Sequence, residues 1–166
     1  MAAFCSYGQD VQSKEEFLNE VWTNTFQVSG AEFYLRSETD IFCFRRDRDY
    51  KSVLREFLPD KIINELVIKS RKDTLFHAWD CSKLVFTKCL NRESIQLLGR
   101  NKQDIVQLYY ITTPIFSNDG DYAIFSAIVN TGSHLDYRRE YLFKKIKGSG
   151  WSRIMQLDLE LYKEIK

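Results

Sequence analysis

Glycine, proline and histidine are scarce in this chain, which carries 7 Gly, 2 Pro and 2 His in 166 residues. That is too little Gly and Pro for a collagen-like or low-complexity chain. The two histidines, His77 and His134, are far apart in sequence and no CxxC spacing exists, so a zinc site is not expected. No run approaches the roughly 20 apolar residues that a membrane-spanning helix needs. P-loop, GxGxxG, HExxH and GxSxG motifs are all missing, which removes the commonest sequence signatures of nucleotide binding, zinc proteolysis and α/β-hydrolase catalysis. Net charge is lacking as well. Lys+Arg 24 against Asp+Glu 23 leaves +1, a field too weak to draw in nucleic acid or an anionic membrane by itself. Any partner is therefore recognised by a local patch.

What the chain does have is rings. With 12 Phe, 9 Tyr and 3 Trp it has the apolar mass for one packed domain that needs no metal or other cofactor to fold. Residues 1–9 are apolar and small and give way at once to the polar run from Asp10. Two readings stand side by side: the tail of a secretory signal peptide, which implies a periplasmic or secreted protein, or an ordinary disordered N-terminus, which leaves a cytoplasmic one. Residues 10–166 form a single domain on either reading. Of the four cysteines, Cys81 and Cys89 flank Lys83-Leu84-Val85-Phe86-Thr87-Lys88. If that run is extended, at about 3.3 Å per residue, the two sulfurs are too far apart to bond. Cys43 and Cys81 then read as buried thiols acting as small apolar residues.

Ser13-Lys14-Glu15-Glu16 has capping-box spacing, and Phe17, Leu18, Val21, Trp22 and Phe26 follow at helical intervals, with Ser29-Gly30 as the stop. Two short aromatic-rich stretches come next, around Tyr34 and Phe42, as two strands or a strand and a loop. Two short helices then meet at Leu58-Pro59. Asn91-Arg92-Glu93-Ser94 opens another helix, which Gly99 is expected to close. From Ile105 onward the chain reads as four strands, with Asn118-Asp119-Gly120-Asp121 and Lys147-Gly148-Ser149-Gly150 supplying positive-φ residues for tight hairpins. Helices segregated from consecutive strands give an α+β class, with the N-terminal helices packed on one face of a mostly antiparallel sheet ending in a four-stranded β-meander.

Thr113-Pro114-Ile115-Phe116-Ser117-Asn118-Asp119-Gly120-Asp121-Tyr122-Ala123, with Tyr141-Leu142-Phe143-Lys144-Lys145 and Gly150-Trp151-Ser152-Arg153, resembles the C-terminal half of a group of small uncharacterised exported proteins of Bacteroidetes-type bacteria. The resemblance spans about Trp79 to Leu161. It implies a meander and carries no assigned chemistry, and the loop Asn130 to Asp136 departs from the cysteine-glycine-rich loop of many of those proteins.

Catalytic candidates are thin. Asp119 and Asp121 sit in a turn, where acidic residues serve local backbone hydrogen bonds. Ser133-His134-Leu135-Asp136 puts Ser, His and Asp side by side, but a triad is assembled by spatial geometry rather than by adjacency. His77 and Asp80 would share a face, as an acid/base pair, if residues 76–80 were helical. Binding is the better class. Arg45, Arg46, Arg48 and Tyr50 form a dense patch beside Phe42 and Phe44, and Arg with Tyr is the pairing enriched where proteins meet partners. Asp47 and Asp49 offset the field that nucleic acid would need. The expectation is a non-catalytic bacterial binding protein with a protein partner, of immunity or inhibitor type that neutralises a toxin. The alternative is an envelope or periplasmic small-molecule-binding module, or an enzyme using His77 and Asp80.

Overall fold

The computed structural model describes residues 12–25, 33–39, 42, 48–73, 77–100, 107–130 and 137–160. Residues 1–9, the Ser29-Gly30 helix end, Cys43 and the loop around His134 lie outside them. The described residues form an α+β fold. Its elements are α1 (Lys14–Thr25), β1 (Phe33–Arg36), α2 (Arg48–Phe57), α3 (Asp60–Lys72), β2 (Lys88–Leu90), α4 (Arg92–Arg100), β3 (Gln107–Ile111), β4 (Ile115–Phe116), β5 (Tyr122–Asn130), β6 (Tyr137–Ile146) and β7 (Gly150–Glu160).

Local chemistry sets several of these boundaries. Ser13 and Glu16 close a reciprocal capping box: Glu16 N donates to Ser13 Oγ at 3.2 Å and Ser13 N donates to Glu16 Oε2 at 2.9 Å. Two of the donors that a helix start leaves unpaired are thereby satisfied. Pro59, held extended at φ −61° and ψ 146°, separates α2 from α3, because a proline ring and its missing N–H cannot continue a helix. One boundary differs from the sequence expectation: Gly99 lies inside α4 and does not end it.

The sheet has seven strands in the order β2-β1-β3-β5-β6-β7, with β4 pairing beside β3 on β5. It is mostly antiparallel, but β1 runs parallel to both β2 and β3, so the N-terminal strand is inserted between segments that follow it by more than fifty residues. Composition could not reveal that insertion, because a four-residue strand reads the same in either direction.

The helices do not share one face of the sheet. Successive strand residues point to opposite sides. Ala123, Phe125, Tyr141 and Phe143 pack with Phe17, Leu18, Val21 and Trp22 of α1, whereas Ile124 and Leu142 pack with Leu54, Ile62, Ile63 and Leu66 of α2 and α3. The sheet is therefore covered on both sides, and β5 and the Tyr141-Leu142-Phe143 centre of β6 read as near-continuous apolar runs for that reason. A register shift between Leu142 and Phe143 lets Ile154 and Met155 both reach the α2/α3 side.

Phe17 is the centre of the α1 side. Its ring meets Phe116, Phe125, Phe143 and Trp151 edge-on, at centroid separations of 5.2, 6.0, 5.7 and 5.0 Å, the orientation that aromatic quadrupoles favour. The core also takes in polar groups. Glu140 is fully buried on the α2/α3 side, with Arg138 Nη2 at 3.6 Å from its Oε1. Burial pushes the Tyr109 hydroxyl up to about 12. No helix among the described residues is long and apolar enough to cross a membrane.

Candidate functional site

The segment between Trp79 and Leu90 holds the largest departure from the sequence expectation. Cys81 and Cys89 form a disulfide, with Cα atoms 5.9 Å apart. The extended reading fails because the chain turns on leaving Asp80: Cys81–Lys83 is a 3-10 turn, residues 85–86 bend, and only Lys88–Leu90 is strand. The path doubles back, so eight residues of chain span a gap that two extended residues would cover. Cys81 is a cross-link and not a free buried thiol.

α1 holds this closed loop from the inside. The nearly buried Glu15 accepts Asp80 N at 2.9 Å, and Lys14 Nζ donates to Ala78 O at 2.7 Å. Asn19 grips the loop twice: its Nδ2 donates to Lys83 O at 2.7 Å, and its Oδ1 accepts Val85 N at 3.1 Å. Leu84 is buried and Phe86 stacks on Trp22 at 3.9 Å between centroids. Leu84 and Phe86 point in, so Val85 points out. It is 85% exposed, with the exposed Lys83 and Lys88 on either side. A hydrogen bond from Ser82, then the ammonium of Lys83, holds the Asp80 carboxyl below its ordinary value, and the same contact raises Lys83. Asp80 thus fixes the mouth of the loop.

His77 and Asp80 do not form the acid/base pair. Residues 77–80 are extended, with Ala78 bridging to Glu38, so the shared helical face does not exist. His77 Nε2 lies instead 2.8 Å from Asp73 Oδ1. Its backbone exchanges hydrogen bonds with Thr39, His77 N donating to Thr39 Oγ1 and Thr39 N donating to His77 O. The histidine fastens the end of α3 to Thr39.

The arginine patch is only partly visible. Arg45 and Arg46 lie outside the described residues and Arg48 opens α2. Tyr50 is 3% exposed and packs with Leu54, Leu58 and Leu66, so its ring belongs to the core and not to an exposed patch.

A cleft of about 750 Å³ lies where the β4–β5 and β6–β7 turns approach each other, lined in part by Phe116, Asp119, Lys145, Lys147 and Trp151. Many of its polar groups are engaged in structure. Asp119 Oδ1 accepts Ser117 Oγ at 2.5 Å and Asp121 N at 3.0 Å, contacts that hold its carboxyl below the ordinary value. Trp151 Nε1 donates to Gln12 Oε1 at 2.7 Å and Trp151 N to Glu20 Oε1 at 2.9 Å. Among the described residues no group of three His, Cys, Asp or Glu could hold a metal ion. No family model matches the chain, and neither a curated protein nor a solved structure does.

Proposed function

We propose that this chain is a non-catalytic binding protein with a protein partner, of inhibitor or immunity type, and that the loop Cys81–Cys89 is what it presents. The observation that carries the reading is the rigidity of an exposed apolar tip: Val85 is 85% exposed while its own N–H, the carbonyl two residues before it and both ends of its loop are tied down. A loop ordered before it binds does not lose that conformational freedom on association, which is how preorganised binders gain affinity. Its chemistry, one valine between two lysines, fits an apolar pocket with an acidic rim. The disulfide supports a periplasmic or secreted location, because such bonds persist in oxidising compartments. On this reading β3, β5, β6 and β7 form the four-stranded meander, with β4 as the broken end of its first strand. That arrangement is the one implied by the resemblance to small exported proteins of Bacteroidetes-type bacteria.

The test is a pull-down from native-cell extract with wild type and Val85→Asp, repeated with the disulfide-closed peptide of residues 81–89 as competitor. Capture of a protein that the variant fails to hold and the peptide displaces supports the proposal. Capture indifferent to both removes the loop from the function. The arginine patch is tested alongside by Arg46→Ala/Arg48→Ala. The contact between His77 and Asp73 favours an enzyme reading only if a small substrate is turned over and His77→Ala abolishes that turnover.

A further inference from the structure

The sheet ends on a long strand. β7 runs eleven residues, Gly150–Glu160, and among the described residues its only strand partner is β6. Trp151 N donates away from β6, to Glu20 of α1, which fixes the alternation of the strand. Carrying the register across the shift near Leu142, Gln156 and Asp158 turn their backbone groups outward, and Met155, Leu157 and Leu159 turn theirs to β6. Native proteins protect such an edge with charge, bulges or a partner. The bulge disrupts the stretch around Arg153 and Ile154 and leaves Met155–Leu159 regular.

We propose that this edge pairs antiparallel with the same strand of a second copy of this chain, with the two-fold axis at Leu157. Antiparallel partners in that register place Gln156 opposite Asp158 of the other copy, twice by symmetry, so that outward-pointing backbone groups meet each other and no like charges are opposed. On the α2/α3 side Leu157 faces its own copy and Met155 faces Leu159, continuing the apolar row of the core across the axis. A shift of the pair that centres it on Asp158 instead would set two carboxylates directly opposite, which is unfavourable. The interface is isologous, so it closes as a dimer and does not propagate into a fibre. It lies on β7, at the far end of the strand order from β2 and the Cys81–Cys89 loop, so a dimer would display two copies of that loop.

Sedimentation equilibrium over a concentration series tests the register through sign. Gln156→Glu sets a carboxylate against Asp158 of the other copy and keeps an acceptor for Arg153 Nη1, which bonds Gln156 Oε1 at 3.0 Å. Gln156→Lys sets an ammonium there. The dimer dissociation constant should rise roughly 2- to 30-fold for the first and fall by a similar factor for the second, two symmetric cross-strand pairs acting together. Thermal melts serve as a check that both variants are folded. A wild type that stays monomeric throughout the series overturns the proposal, and so do two variants that shift the constant in the same direction.

Discussion

Removing the cross-link isolates the contribution of the disulfide to the loop. Cys81 and Cys89 are separated by 8 residues, and the loop-closure relation for a ring of that size gives about 2.5 kcal/mol of stabilisation through restriction of the unfolded chain. For a domain of this length that corresponds to a drop of roughly 5–10 °C in Tm. Urea melts of oxidised protein, thiol-reduced protein and the Cys81→Ala/Cys89→Ala variant should show the two bond-free forms close together and both well below the oxidised one. Comparison with the reduced form separates the cross-link from the loss of two sulfurs that pack against the core. Asn19→Ala should cost about 1–2 kcal/mol, because it deletes two hydrogen bonds to the same loop. Combined with the reduced state it should cost more than the sum: once the cross-link is gone, Asn19 is the main polar hold on residues 83 to 85. Oxidised and reduced stabilities agreeing to within about 0.5 kcal/mol would refute the reasoning, since a cross-link that restricts the unfolded chain has to separate the two forms.

Phe17→Ala should destabilise by about 3–5 kcal/mol in denaturant melts, because it empties the site on which four rings converge. Gly120→Ala and Gly150→Ala form a matched pair at φ 72° and 75°: both should cost roughly 1 kcal/mol in backbone strain, and the second more, since its Cβ would be driven into the Glu20 carboxylate while that at Gly120 meets open space. Asp119→Asn should flatten the acid limb of stability. The folded-state carboxyl lies below its ordinary 3.8, so its contribution is present above that value and lost as pH falls through the folded-state one, and wild type and variant should converge at the acid end of a pH series of melts. Val85→Asp should leave the melting midpoint within about 0.5 kcal/mol of wild type.

Much of the fold was legible where local chemistry decides it. Ser13 and Glu16 announce α1 because their side chains satisfy the helix start directly, and Gly120, Gly148 and Gly150 announce their turns because each takes a positive φ there. Trp151 is buried at the point where the last hairpin returns to the sheet. The failures are long-range. Reading residues 83 to 88 as extended from their β-rich composition concealed the disulfide, because the turn at Cys81–Lys83 is held by the Ser82 hydroxyl donating to the Asp80 carboxylate and by α1 bonding residues more than sixty positions away. Tyr50, expected in the patch with Arg45, Arg46 and Arg48, is buried, and there the signal was local. Tyr50, Val53, Leu54 and Phe57 are spaced as a helix face, and that spacing was the signal that the ring belongs with Leu54 in the core.

Asn19 shows why a positioning residue is harder to read than a core residue. Nothing at position 19 distinguishes it from any polar residue on the outer half of an amphipathic helix, and its chemistry becomes specific only when the fold brings Lys83 O and Val85 N to opposite ends of one amide. A core residue is marked by its own hydrophobicity wherever it occurs, so periodicity finds it. A positioning residue is marked by its partners, and those are fixed by the parallel insertion of β1 next to β2 and by the packing of α1 across the sheet. Removing only the donor end of that amide would therefore separate the two kinds of information: Asn19→Asp keeps size and helical spacing, and retains an acceptor for Val85 N while removing the donor to Lys83 O. A loss of about 1 kcal/mol in stability with Val85-dependent capture weakened more than the melt alone explains would mean that the amide positions the loop. A loss in stability with capture untouched would mean that it only glues the helix to its neighbour.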